Sequence, residues 1–118
     1  MAELPHPIAG DHLPLRPVEF QILVQLAGGE KHGWALLQDA EVTGPAIPGI
    51  ATLYRTLQRL ESDRLIERRR DLETDDDRRR VYGITPRGRT VASAEARRLH
   101  ALICVARAAD LLEERDAR

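Results

Sequence analysis

Thr52, Tyr54, Arg55, Thr56, Gln58 and Arg59 crowd into the short segment 50–61, and their types suit contact with a polyanion. Arginine offers a forked set of donors to phosphate oxygens and base edges, and threonine and glutamine add shorter hydrogen bonds. Two arginine triplets follow, Arg68-Arg69-Arg70 and Arg78-Arg79-Arg80, on either side of the acidic stretch 73–77. Lys31 and His32 stand just ahead of a second helix start, where free amides favour a phosphate. His32 fits equally well as a local cap or packing residue.

These side chains need elements to hold them. Leu53, Leu57 and Leu60 recur at i, i+4 and i+7, so segment 50–61 is expected to be a helix docked by that stripe, with its polar face outward. Gly49 is its expected N-cap. Upstream, Pro17 opens a first helix whose apolar positions Phe20, Leu23, Val24 and Ala27 fit one buried face, widened by Ile22 and Leu26. Gly28-Gly29 ends it. A second helix is expected from about Gly33 to Val42, with Trp34 and Leu37 marking one side and Leu36 beside it. The breaker-rich stretch 43–49 connects it to the third.

Downstream, segment 65–71 and Val81-Tyr82-Gly83-Ile84 read as two strands of a hairpin. Alternation in a strand puts Arg68 and Arg70 on one face and Arg69 on the other. Cross-strand or turn pairing with Asp71, Asp75, Asp76 and Asp77 is expected for at least one arginine. Arg78, Arg79 and Arg80, on the return strand, are the stronger candidates for phosphate or minor-groove contact. Thr85-Pro86 then supplies an N-cap and a first-turn proline for a long helix to about Glu114. In that helix Ala92, Ala96, Leu99, Ile103 and Ala106 recur at 4-3-4-3 spacing, with Leu102 beside them, the pattern of a helix-pairing seam. Residues 1–15, with Pro5, Pro7, Pro14 and Gly10, are expected to form a flexible or extended arm.

The order and content of these pieces resemble the PadR family of bacterial transcriptional regulators, over about Leu15 to Leu112. The resemblance rests on Arg16-Pro17-Val18-Glu19-Phe20-Gln21-Ile22-Leu23, His32-Gly33-Trp34, Ala51-Thr52-Leu53-Tyr54-Arg55-Thr56-Leu57 and Arg59-Leu60-Glu61. Leu65-Ile66, Asp77-Arg78-Arg79-Arg80-Val81-Tyr82 and Thr85-Pro86-Arg87-Gly88 complete it. It implies a mainly α chain with a small β-hairpin: a winged helix-turn-helix domain over residues 16–85 and a C-terminal dimerisation helix over 86–118. It further implies a homodimer, double-stranded DNA as partner, and most often repression. Some members release DNA when a small molecule binds, which leaves room for an effector of unidentified chemistry. The expected DNA contacts are Lys31, His32, Thr52, Tyr54, Arg55, Arg59, Arg78, Arg79 and Arg80. The expected dimer contacts are Ala92, Ala96, Leu99, Leu102, Ile103 and Ala106. Arg16 and Gly49 stand where the family usually has Ser or Thr caps. The terminal helix carries no aromatic residue, unlike relatives that stack a flat ligand there.

Composition sets the frame. With 118 residues the chain suits one modest core, and with 3% aromatics its packing rests on Leu, Ile, Val and Ala. Net charge is −1, so attraction to nucleic acid must come from arginines sorted to one face. A single cysteine, Cys104, excludes an intrachain disulfide and a thiolate metal cluster. His6, His12 and His100 show no ligand spacing, and neither a metal nor a cofactor is expected. No nucleophile–base pair, phosphate loop or paired carboxylates support an enzyme. No apolar run of about 18 residues and no signal peptide is present, so a cytoplasmic protein is expected. Two rivals to direct DNA binding stand beside this reading: a winged-helix protein-interaction module, consistent with the charge, and a small-molecule sensor.

Overall fold

The computed structural model describes residues 12–43, 47, 49–69 and 80–112, with the backbone alone over 39–43. Its elements in order are α1 (Pro17–Ala27), β1 (Lys31–His32), α2 (Gly33–Thr43), α3 (Ile50–Ser62), β2 (Ile66–Arg68), β3 (Val81–Ile84) and α4 (Pro86–Ala108). One cluster of buried side chains joins them, built from Ile22, Leu23 and Leu26 of α1, Leu36 of α2, Leu53, Leu57 and Leu60 of α3, and Leu65, Ile66, Tyr82, Ile84 and Val91.

Pro17 starts α1 as its first-turn proline should, and Glu19 closes half of a capping box by accepting the Arg16 amide at 2.8 Å. The other half cannot form, because an arginine side chain has no acceptor. The buried face of α1 keeps Leu23 with Ile22 and Leu26, and Phe20 packs against the core, but Glu19 joins it while Val24 is 50% exposed and Ala27 faces solvent. Two overlapping i, i+3, i+4, i+7 sets fit this helix. The carboxylate in one of them disguised it as the polar side.

In α2, Leu36 is fully buried, whereas Trp34 lies outside the core at 45% exposure. Its indole stacks on the His32 ring instead, centroids 6.3 Å apart and planes at 16°. The α3 stripe is as expected: Leu53, Leu57 and Leu60 are no more than 1% exposed. The helix ends in a Schellman closure, with Arg64 left-handed at φ 62° and the Leu65 amide donating to the Leu60 carbonyl at 2.9 Å.

The strands form a three-stranded antiparallel sheet in the order β1-β3-β2, rather than a simple hairpin. Ile66 pairs with Ile84 and Arg68 with Tyr82, while Lys31 pairs with Tyr82 and His32 with Val81. The added strand is Lys31-His32, read from sequence only as a helix lead-in. Two residues carry no period to betray a strand. The stretch 70–79 that joins β2 to β3, including the acidic residues 73–77, lies outside the described residues.

Thr85 caps α4, its Oγ1 accepting the Gly88 amide at 2.9 Å and donating to the Arg64 carbonyl at 2.7 Å. Gly88 is demanded by proximity: a Cβ there would sit 2.0 Å from the Leu65 carbonyl oxygen. The helix ends at Ala108, short of the expected Glu114. A second Schellman closure stops it, with Asp110 at φ 61° and the Leu111 amide on the Ala106 carbonyl at 2.9 Å. Asp tolerates this left-handed position better than most residues, and no glycine marked it in the sequence.

Of the expected arm, residues 1–11 lie outside the described residues, while 12–15 pack on the domain. Leu15 is buried, and its amide donates to Glu95 Oε2 at 2.9 Å. Glu95, 1% exposed, is also gripped by Arg98 at 2.5 and 3.0 Å. Those guanidinium hydrogen bonds hold its carboxyl below the usual carboxylate range; burial pulls the other way, and the Leu15 amide reinforces the lowering. No described helix is long and apolar enough to cross a membrane.

Candidate nucleic-acid interface

Burying Leu53, Leu57 and Leu60 on one side of α3 fixes what the other side can offer. Arg55, Gln58 and Arg59 are exposed, and Thr52, Tyr54 and Thr56 half-buried at the margins. Thr56 donates its hydroxyl to the Thr52 carbonyl one turn back at 2.7 Å, which leaves its lone pairs to accept. Tyr54, half-buried at the margin of the polar face, packs partly against the core cluster.

Beside this face lies a concave space of about 160 Å³, lined by Thr52, Arg55, Thr56 and Arg59 of α3 together with Arg16, Val18 and Glu19 at the start of α1. Three arginines thus line one hollow, which is the local sorting of charge that a near-neutral chain requires. Arg16 was read from sequence only as a poor cap. Its place beside Arg55 and Arg59 depends on how α1 crosses α3, which no local pattern reveals. The same holds for Glu19, whose Oε2 lies 3.6 Å from Arg59 Nε. Among the described residues Arg55 has no ion-pair partner.

The sheet gathers a second group. Because β1 pairs with β3, Lys31 and His32 stand next to the start of the return strand, and the Gly33 amide donates to the Arg80 carbonyl at 3.1 Å. Residues that looked separate in the sequence are thereby brought side by side at one end of the sheet. Arg80 is half-buried, Lys31 half-buried and His32 exposed. Arg78 and Arg79 lie outside the described residues.

Two arginines of the first triplet are committed elsewhere, and Arg70 lies outside the described residues. Arg68 pairs with Glu61 at 3.1 Å; Arg69 pairs with Glu67 at 2.6 Å and donates to the Ile84 carbonyl at 2.7 Å. The aspartates expected to pair with an arginine here, Asp71, Asp75, Asp76 and Asp77, lie outside the described residues; among the described ones the partners are glutamates of α3 and the sheet.

On α4 the intended seam is divided. Ala92 packs against the core cluster, while Ala96 is exposed, Leu99 and Ala106 are half-buried, and Leu102 and Ile103 are 53% and 43% exposed. At 3.6 residues per turn Leu102 and Ala106 continue the line of Val91 and Glu95, so the face that docks on the domain runs on past its edge. No three His, Cys, Asp or Glu gather into a metal site among the described residues. The 3.6 Å contact of Cys104 Sγ with His100 Nε2 is a pair only.

Comparison with known proteins agrees with this arrangement. Residues 22–94 match the family described as transcriptional regulator PadR-like. The chain is 40% identical over 86 residues to the transcriptional regulator Rv3488 of Mycobacterium tuberculosis, an overlap covering 72% of this chain and 78% of that one. Its fold superposes on a PadR family transcription regulator of Clostridium difficile with a TM-score of 0.66 at 19% identity, covering 76% and 94% of the two chains. Bacillus subtilis PadR, solved in complex with operator DNA, superposes with a TM-score of 0.58 at 19% identity over 69% of this chain and 47% of that one. The winged-helix expectation therefore holds, with β1 as its third strand, and the chain belongs to the PadR-like family of transcriptional regulators.

Proposed function

We propose that this protein binds operator DNA as a homodimer in the cytoplasm and acts as a repressor, with α3 in the major groove and the β2–β3 wing along the backbone. Thr52, Tyr54, Arg55 and Arg59 read or anchor the groove. Arg78, Arg79 and Arg80 strap the wing, and Lys31 and His32 hold phosphate beside it. The observation that carries this reading is the hollow where Arg16, Arg55 and Arg59 converge on the polar face of α3. Such convergence gives a chain of net charge −1 a local anchor for phosphate.

The homodimer forms through the distal half of α4, by Ala96, Leu99, Leu102, Ile103 and Ala106, with Ala92 where the seam meets the domain. Covering one exposed Leu or Ile contributes on the order of 1.5–3 kcal/mol when burial is complete, so a symmetric partner is a strong solution for this face. Two recognition helices would then address a pseudo-palindrome with half-site centres about 34–36 Å apart, or a multiple of that. An effector would act by changing that separation.

The test is selection of duplexes from a random-sequence pool, followed by anisotropy on the enriched duplex and a scrambled one across a salt series. The reading expects binding at least about a hundredfold tighter to the enriched duplex, with a steep salt slope. Equal binding to both would overturn it in favour of a protein-interaction module or a sensor.

A further inference from the structure

Glu19 is an odd neighbour for a phosphate-binding hollow. It is 7% exposed, sits in the wall between Arg16 and Arg59, and subtracts a charge from a surface that has few to spare. Its position is nevertheless over-determined. Oε1 accepts the Arg16 amide at 2.8 Å, and Arg16 follows Leu15, whose own amide is tied to Glu95 on α4 at 2.9 Å. Two adjacent amides are thus fixed by carboxylates from two helices, and the second oxygen of Glu19 is left 3.6 Å from Arg59 Nε.

We propose that Glu19 is a positioning residue for DNA recognition: held at the start of α1 by the Arg16 amide, it orients the Arg59 guanidinium on α3 and so raises specificity for the operator without raising affinity for DNA in general. This rests on the DNA-binding reading above. An exposed arginine loses rotamer entropy when fixed on a target, and a partner that restrains it beforehand lowers that cost. At 3.6 Å the carboxylate faces the Nε side of the guanidinium as an ion pair rather than a hydrogen bond. The Nη edge remains for a forked contact with a base or phosphate. Arg59, 54% exposed at its side chain, is therefore restrained without being buried. Because Glu19 repels every phosphate alike, its net effect favours duplexes that use the held geometry over those that only offer charge. Arg55, which has no ion-pair partner among the described residues, provides the contrast.

The experiment measures the ratio of affinities for the enriched and scrambled duplexes in Glu19→Gln, Arg59→Ala and the double variant. Glutamine keeps an acceptor for the Arg16 amide, so the cap survives while the charge goes. The expected result is a ratio about tenfold smaller in Glu19→Gln, with scrambled binding unchanged or tighter, and less than about a twofold further change when Arg59 is already Ala. A loss of equal size in both backgrounds, or an unchanged ratio, overturns the proposal. Arg59→Lys leaves α1 untouched and serves if Glu19→Gln unfolds. It should keep the salt slope yet lose the ratio, and parental behaviour overturns the proposal equally. If the ratio falls with Arg55→Ala but not with Glu19→Gln, operator binding stands and only the role of Glu19 fails. If the parent protein shows no preference, the DNA-binding reading fails with it.

Discussion

Helix α3 and the far half of α4 are both amphipathic, and each leaves the opposite face unfinished. In α3 the apolar stripe is sealed in the core and the arginine face is open. Past Glu95, α4 reverses this: Leu102, Ile103 and Val105 are 43–67% exposed while the domain that covered Val91 has ended. An open polar face costs nothing in water and waits for a polyanion. An open apolar face is unfavourable until something covers it. On the proposed function, the same device serves as a ligand surface at one end of the molecule and an assembly surface at the other.

Breaking the sealed stripe should have the largest effect. Leu57→Ala empties a site with 1% exposure and is expected to destabilise the fold by about 2–5 kcal/mol, measured by denaturant unfolding. Next, Leu102→Glu with Ile103→Glu charges the open apolar face. Light scattering should find monomers with a retained helical spectrum, and operator affinity should fall about a hundredfold or more as one half-site is lost. Third, Arg55→Ala should weaken operator binding about tenfold to a hundredfold with an unchanged melting temperature. An unchanged affinity with a lowered melting temperature would make that arginine structural.

Two smaller effects sharpen the comparison at the joint between the regions. Glu95 has a lowered folded-state pKa, so it adds stability above its unfolded value of about 4.3, and that contribution is lost as pH falls through the folded value. Glu95→Gln should flatten the acid limb of the stability curve below about pH 4. Arg64→Gly should stabilise by up to about 1 kcal/mol, because φ 62° suits glycine, with DNA binding intact.

The sequence exposed much of this because both helices carry period-3.6 stripes, and those survive folding. Leu53, Leu57 and Leu60 and the apolar Leu102 and Ile103 were legible that way, and the Thr85-Pro86 start of α4 by its capping residues. What escaped detection was set by tertiary contact or by backbone shape. Lys31-His32 is a strand only because β3 lies beside it. Val24 is exposed because the set containing Glu19 turned inward. α4 stops at Ala108 because Asp110 adopts a left-handed conformation that only glycine would have advertised. Within the candidate site, Arg55 and Arg59 stood out by spacing, whereas Arg16 and Glu19 joined them through the crossing of α1 and α3.

The central claim is that one open face meets DNA while the other meets a second copy. The direct measurement is the mass of the complex on the enriched duplex, by sedimentation equilibrium at low salt. The account predicts two chains per duplex, falling to none at the same concentration in the Leu102→Glu, Ile103→Glu variant. One chain per duplex with full affinity, or no complex with the parent protein, would contradict it.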